Sequence, residues 1–128
     1  MGFVNKALTK KLMEPLVIET ALSPPEVLEQ VRTFVASVPP QKYFMAGEFS
    51  YRLVGVPGEW HVQYVQPHKK NPDQLGYAWT VTGRCASGGI AGPSRACIQL
   101  TQARTTDGKV DYRSAFVDFR DYFVKQLT

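Results

Sequence analysis

The stretch LVIETALSPPEVLEQVRTFV, residues 16–35, decides the fold class. Its first part, LVIETAL, is mostly apolar, lies between Pro15 and Ser23, and reads as a strand. Its second part starts a helix by three separate rules. Ser23 is a good N-cap, Pro24 suits the first helical position, and Glu26 stands where a capping box needs an acid. Val27, Leu28, Val31, Phe34, Val35 and Val38 then share one helical stripe, and Pro39-Pro40 stops the helix. A strand thus feeds a helix whose apolar side needs a surface to cover.

The rest of the chain supplies that surface. Phe49, Tyr51 and Leu53 alternate with Ser50 and Arg52; Trp60, Val62 and Tyr64 alternate with His61 and Gln63. Tyr77, Trp79 and Val81 alternate with Ala78, Thr80 and Thr82, and Ala96, Ile98 and Leu100 with Cys97, Gln99 and Thr101. Period two with one polar face predicts an antiparallel sheet, half buried. Pro57-Gly58 is a turn, residues 67–74 a polar loop, and Asp107-Gly108 a further turn. Tyr112, Ala115, Phe116, Phe119, Phe123 and Leu127 then follow helical spacing, with Asp111 suited to the helix start and Lys125 to its end. Strands in a run with helices kept to one side mean α+β. The expected architecture is a curved antiparallel sheet of about five strands packed on a long C-terminal helix.

The 128 residues fit a single domain, with residues 1–14 as an N-terminal helix or arm and 15–128 as the α+β core. In the arm, Phe3, Ala7, Leu8 and Leu12 fall at helical spacing opposite Lys6 and Lys10, a short amphipathic stripe. The hydrophobic share of 44% is enough for a real core, and the net charge of +4 is too small and too scattered for a nucleic-acid footprint. No apolar run reaches the roughly 18 residues that would span a bilayer. The first residues lack the apolar core of a secretory leader, and Lys6 stands where a myristoylation signal wants Ser or Thr. The expectation is a cytoplasmic chain, monomeric or homodimeric.

Residues 82–97, TGRCASGGIAGPSRAC, hold four glycines and both cysteines. A phosphate loop needs Lys and Ser or Thr after its last glycine, and Gly89 and Ile90 stand there instead. Cys85, Cys97, His61 and His68 lack metal-ligand spacing, and no Cys-x-x-Cys exists, so no metal or cofactor is expected. A hairpin explains more. Centred on Ala91, it sets Cys85 opposite Cys97, as neighbouring thiols in a reducing compartment. The glycine-rich loop could also serve as a lid or a partner contact.

No catalytic set stands out. There is no Gly-x-Ser-x-Gly elbow, His61 reads as a solvent-facing strand residue, and nothing in the spacing requires Glu48 and Glu59 to pair. The aromatics are the stronger candidates. Tyr51, Trp60, Tyr64, Tyr77 and Trp79 on the strands, with Phe116, Phe119 and Phe123 on the last helix, form either a plain core or the wall of an apolar pocket. Tyr hydroxyls, Trp N–H groups, Arg52 or Arg84 are candidates for polar groups in such a pocket. A base-stacking platform lacks its signature motif and its interleaved basic residues.

The strand that runs through Ser-Pro-Pro-Glu into a helix, the antiparallel sheet, and the closing helix DYRSAFVDFRDYFVKQL resemble the START-like, or polyketide cyclase-like, helix-grip proteins. The likeness spans most of residues 16–127 as a pattern of elements. It implies a last helix gripped in a curved sheet and a small apolar molecule bound between them, with no catalytic residue to carry over. With four strands between the helices, the chain is equally similar to a TATA-binding-protein-like half-domain, which implies a sheet surface for a macromolecule. The expected function is therefore non-enzymatic binding of a small apolar or aromatic ligand. The alternative is a protein-interaction module using the sheet surface, the basic N-terminal helix or the glycine-rich loop.

Overall fold

The computed structural model describes residues 14–43, 47–67, 71, 73, 75–87, 93–103 and 113–128. The expected N-terminal helix, the glycines at 88, 89 and 92, His68, Asp111 and Tyr112 lie outside the described residues. Within them the order is β1 (Leu16–Thr20), α1 (Pro24–Ser37), β2 (Gln41–Tyr43), β3 (Gly47–Val56), β4 (Glu59–Pro67), β5 (Leu75–Ala86), β6 (Ser94–Ala103) and α2 (Arg113–Leu127). None of these helices is long and apolar enough to cross a membrane.

Helix α1 starts as its sequence requires. The Glu26 backbone N–H donates to Ser23 Oγ at 3.4 Å, and the Ser23 backbone N–H donates back to Glu26 Oε1 at 3.1 Å. These bonds hold the Glu26 carboxyl below the usual carboxylate range, the Ser23 backbone bond contributing most. A depressed acid stabilises the fold above its unfolded value, roughly 4.3, and loses that contribution as pH falls through its lower folded value. Glu26→Gln keeps the shape and removes the charge. It is expected to melt slightly below the parent at pH 7, and the gap to close in acid below the folded value, as followed by circular dichroism.

The strands form one curled sheet in the order β1-β6-β5-β4-β3-β2, with every neighbouring pair antiparallel. Five strands therefore stand between the helices, where the sequence pattern shows four. The extra one is β2, whose three residues after Pro40 are too few to display alternation. The four-strand half-domain likeness falls with that count, while a helix-grip arrangement remains compatible with the topology.

Alternation sets the two faces of the sheet. Ile18, Phe49, Tyr51, Trp60, Val62, Tyr64, Trp79, Val81, Ala96, Ile98 and Leu100 are buried on the inner face, under Val27, Val31 and Phe34 of α1 and Phe116, Phe119 and Phe123 of α2. Arg52, Arg84 and Arg95 are exposed, as expected of outward positions on the same strands. Two register shifts interrupt the ladders. Tyr64 pairs with Trp79 but Val65 pairs with Tyr77, which leaves Ala78 unmatched. Thr80 pairs with Gln102 but Val81 pairs with Leu100, which leaves Thr101 unmatched. An unmatched residue is a β-bulge and re-aims the side chains beside it.

The cysteines correct the expected hairpin. Cys85 pairs with Ala96, and Cys97 pairs with Arg84, one residue out of step with a hairpin centred on Ala91. A one-residue slip exchanges faces, because partners across an antiparallel ladder point the same way. Cys85 is thus buried inside among Val81 and Ile98, Cys97 belongs to the outer face, and both are free thiols.

Candidate functional site

Seven of the eight expected site residues converge between sheet and helices. Tyr64 stacks on Trp79 with ring centres 5.5 Å apart, and Tyr51 meets Tyr64 at 5.0 Å and Trp79 at 5.8 Å. From α2, Phe116 reaches Trp79 at 5.8 Å, Phe119 meets Phe123 at 6.0 Å, and Phe123 meets Trp60 at 6.1 Å. These spacings lie in the range where aromatic pairs attract beyond their buried area.

Tyr77 does not join them. The bulge at Ala78 buries both Ala78 and Trp79, so Tyr77 turns to the outer face and is 39% exposed. Strict alternation would have kept it with Trp79. Two members of the cluster escaped the sequence reading of the site. Phe34 of α1 touches Tyr51 at 5.0 Å, Phe119 at 5.5 Å and Tyr122 at 4.9 Å, which ties both helices to the sheet. Phe49 stacks on Tyr64 at 5.4 Å. Both already stood on apolar stripes; what no stripe reveals is which stripes meet.

The polar atoms of the interior differ in how they are satisfied. Tyr51 Oη donates to the Ala115 carbonyl at 2.8 Å, fastening β3 to the first turn of α2. Tyr64 Oη donates to Gln41 Oε1 at 2.7 Å, which ties β4 to the short β2. Trp60 Nε1 is different: the residue is 0% exposed and the N–H has no hydrogen-bond partner among the described residues. Its indole lies flat against the backbone of Gly83, the residue across the ladder. Two positions further along that inner face, burial pushes the Cys85 thiol up from its ordinary range.

Other candidate groups separate. Arg84 pairs with Glu59 at 3.4 Å on the surface, so neither serves the interior. Glu48 and Glu59 stand at opposite ends of the β3–β4 hairpin, roughly 25 Å apart at about 3.3 Å per residue. They form no carboxylate pair. Among the described residues no three metal-ligating side chains converge.

Depressions open to the surface at two places among the described residues. One of about 600 Å³ lies between the end of α2 and the ends of β1 and β6, with Leu22, Pro93 and Leu127 on its walls. Leu127 follows Phe123 by one turn of the helix, but none of the clustered rings lines this hollow. The other, of about 290 Å³, lies on the outer sheet face. Compared with protein families, with curated proteins and with solved structures, the chain matches none of them.

Proposed function

We propose that the protein binds a small apolar or aromatic molecule between its sheet and C-terminal helix, and that it does so without catalysing a reaction. The observation that carries this reading is the Trp60 N–H, buried inside a wall of rings with no partner among the described residues. An unsatisfied buried donor costs about 1–3 kcal/mol, and native structures rarely leave one. A ligand with one hydrogen-bond acceptor recovers that cost. In this reading Trp60, Phe123 and the neighbouring rings make the apolar contact, and the ligand enters from the side of the hollow at Leu127, one helical turn from Phe123. Pockets of this kind are mostly apolar, with a few placed polar groups.

The test is native mass spectrometry of the protein purified from its own host, followed by denaturation and analysis of what is released. A co-purifying apolar compound is expected, bearing a carbonyl, ether or similar acceptor. Trp60→Phe keeps a ring and removes the N–H, so it is expected to hold that compound about tenfold less tightly, near 1.4 kcal/mol. A chain that carries no passenger overturns the proposal. A stable dimer or a co-purifying protein supports the second reading, an interaction module. What favours that reading is the outer sheet face, where Val17 and Val56 stand 54% and 63% exposed.

A further inference from the structure

We infer that the outer face of the sheet carries a separate binding site for a neutral, polyhydroxylated ligand such as a saccharide unit. The site is the depression of about 290 Å³ lined by His61, Gln63, Tyr77, Thr80, Thr82 and Thr101. That volume is near the lower end of the ~300–1,000 Å³ usual for small-molecule sites, room for a ligand of one or two rings.

Both bulges serve this spot. The first turns Tyr77 outward, and the second leaves Thr101 unmatched beside Thr80 and Thr82. The groups they gather are wired together. His61 Nδ1 lies 3.2 Å from Thr82 Oγ1, Thr82 Oγ1 lies 3.2 Å from Thr101 Oγ1, and Thr101 Oγ1 donates to the Thr80 carbonyl at 3.2 Å. Bulges commonly re-aim side chains next to functional sites, and here two of them border one hollow.

The chemistry of the lining selects the ligand class. Among the described residues it holds no carboxylate, ammonium or guanidinium. Two charge pairs on this face are engaged across their ladders, Arg84 with Glu59 and Arg95 with Glu19. Arg52, the ladder partner of Gln63, is not part of the lining. A hydroxyl both donates and accepts, an amide offers one of each kind, and an imidazole does the same. Such a set matches sugar hydroxyls, which demand both roles at once. The Tyr77 ring, 39% exposed at the rim, offers a flat apolar surface for the C–H face of a pyranose. Among the described residues of the lining an anion finds no lysine or arginine.

The test is titration of isotope-labelled protein with maltotriose and with chitotriose, followed by amide chemical shifts. Shifts are expected at Gln63, Tyr77, Thr80, Thr82 and Thr101, with millimolar affinity for at least one of the two. Tyr77→Ala weakens that binding about tenfold or more, and Tyr77→Phe preserves it. Thr82→Val, similar in shape but without the hydroxyl, weakens it severalfold. Trp60→Phe leaves it unchanged, so failure here and failure of the interior reading are read separately. No shift with either saccharide at tens of millimolar overturns the inference. So does selective binding of an oligouridylate that is lost in Arg52→Ala, because that outcome makes the face a nucleic-acid surface.

Discussion

Gly83→Val is expected to cost on the order of 3 kcal/mol of folding stability, measured by urea denaturation. A Cβ at this position would lie 2.3 Å from two atoms of the Trp60 six-membered ring and 2.4 Å from a third. Trp60 has nowhere to go. It is fully buried, its other ladder partner is Gly55, and Phe123 stands over it. Gly55 is itself constrained, with φ at +119° and a would-be Cβ 2.6 Å from the Glu59 carbonyl oxygen. Trp60 therefore sits between two glycines: Gly83 leaves room for its indole, and Gly55 for the backbone of residues 59 and 60. The loss matters against a total of about 5–15 kcal/mol for a typical domain. Gly58 is the control, since a Cβ there meets nothing within 4 Å. Gly58→Ala is expected within about 0.5 kcal/mol of the parent. A cycle combining Gly83→Ala with Trp60→Leu is expected to show coupling of about 1 kcal/mol or more, because the second change removes the clash created by the first. A near-neutral Gly83→Val would mean the indole does not lie against that backbone.

Phe119→Ala is expected to cost about 3–5 kcal/mol, with the midpoint falling and the denaturant slope kept. The side chain is fully buried and sits between Phe34 of α1 and Phe123 of α2. Its removal deletes buried area and leaves a hole that three elements must close around. Phe34 also holds Tyr51 and Tyr122, so relaxation into the hole disturbs the contacts of α1 with both the sheet and α2. Phe119→Leu keeps most of the volume and is expected to cost clearly less. Val117→Ala, on the exposed side of the same helix, is expected to change stability by no more than about 0.5 kcal/mol. Equal costs at positions 117 and 119 would show that α2 does not present the face described.

Much of this architecture was legible in the chain. Ser23, Pro24 and Glu26 place the start of α1 because a capping box is a local device, satisfied within three residues. The stripe of Phe116, Phe119 and Phe123 places the buried face of α2, because helical period and burial leave a regular signature. Alternation places Tyr51, Trp60, Tyr64 and Trp79 on one face for the same kind of reason. Even the positions of the cysteines were implied. Cys85 is in phase with Val81, and Cys97 is out of phase with Ile98, so the two cannot face each other across a ladder. A hairpin centre judged from the glycines alone overrides that phase and misplaces them.

What the chain determined by itself was thus local or periodic: the class of fold, the faces of its elements, the cap of α1 and the turn at Pro57-Gly58. What only the tertiary structure decided was where a period breaks and which stripes meet. Nothing around Ala78 or Thr101 announces a bulge, because a bulge answers to the fit of a curled sheet against two helices rather than to neighbours in sequence. That one inserted residue carries Tyr77 from the ring cluster to the outer hollow. The contact of Phe34 with Phe119 joins residues far apart in the chain, and only the closed fold brings them together. Nor does any sequence pattern mark the lone Trp60 N–H, since whether a buried donor finds a partner depends on every element packed around it.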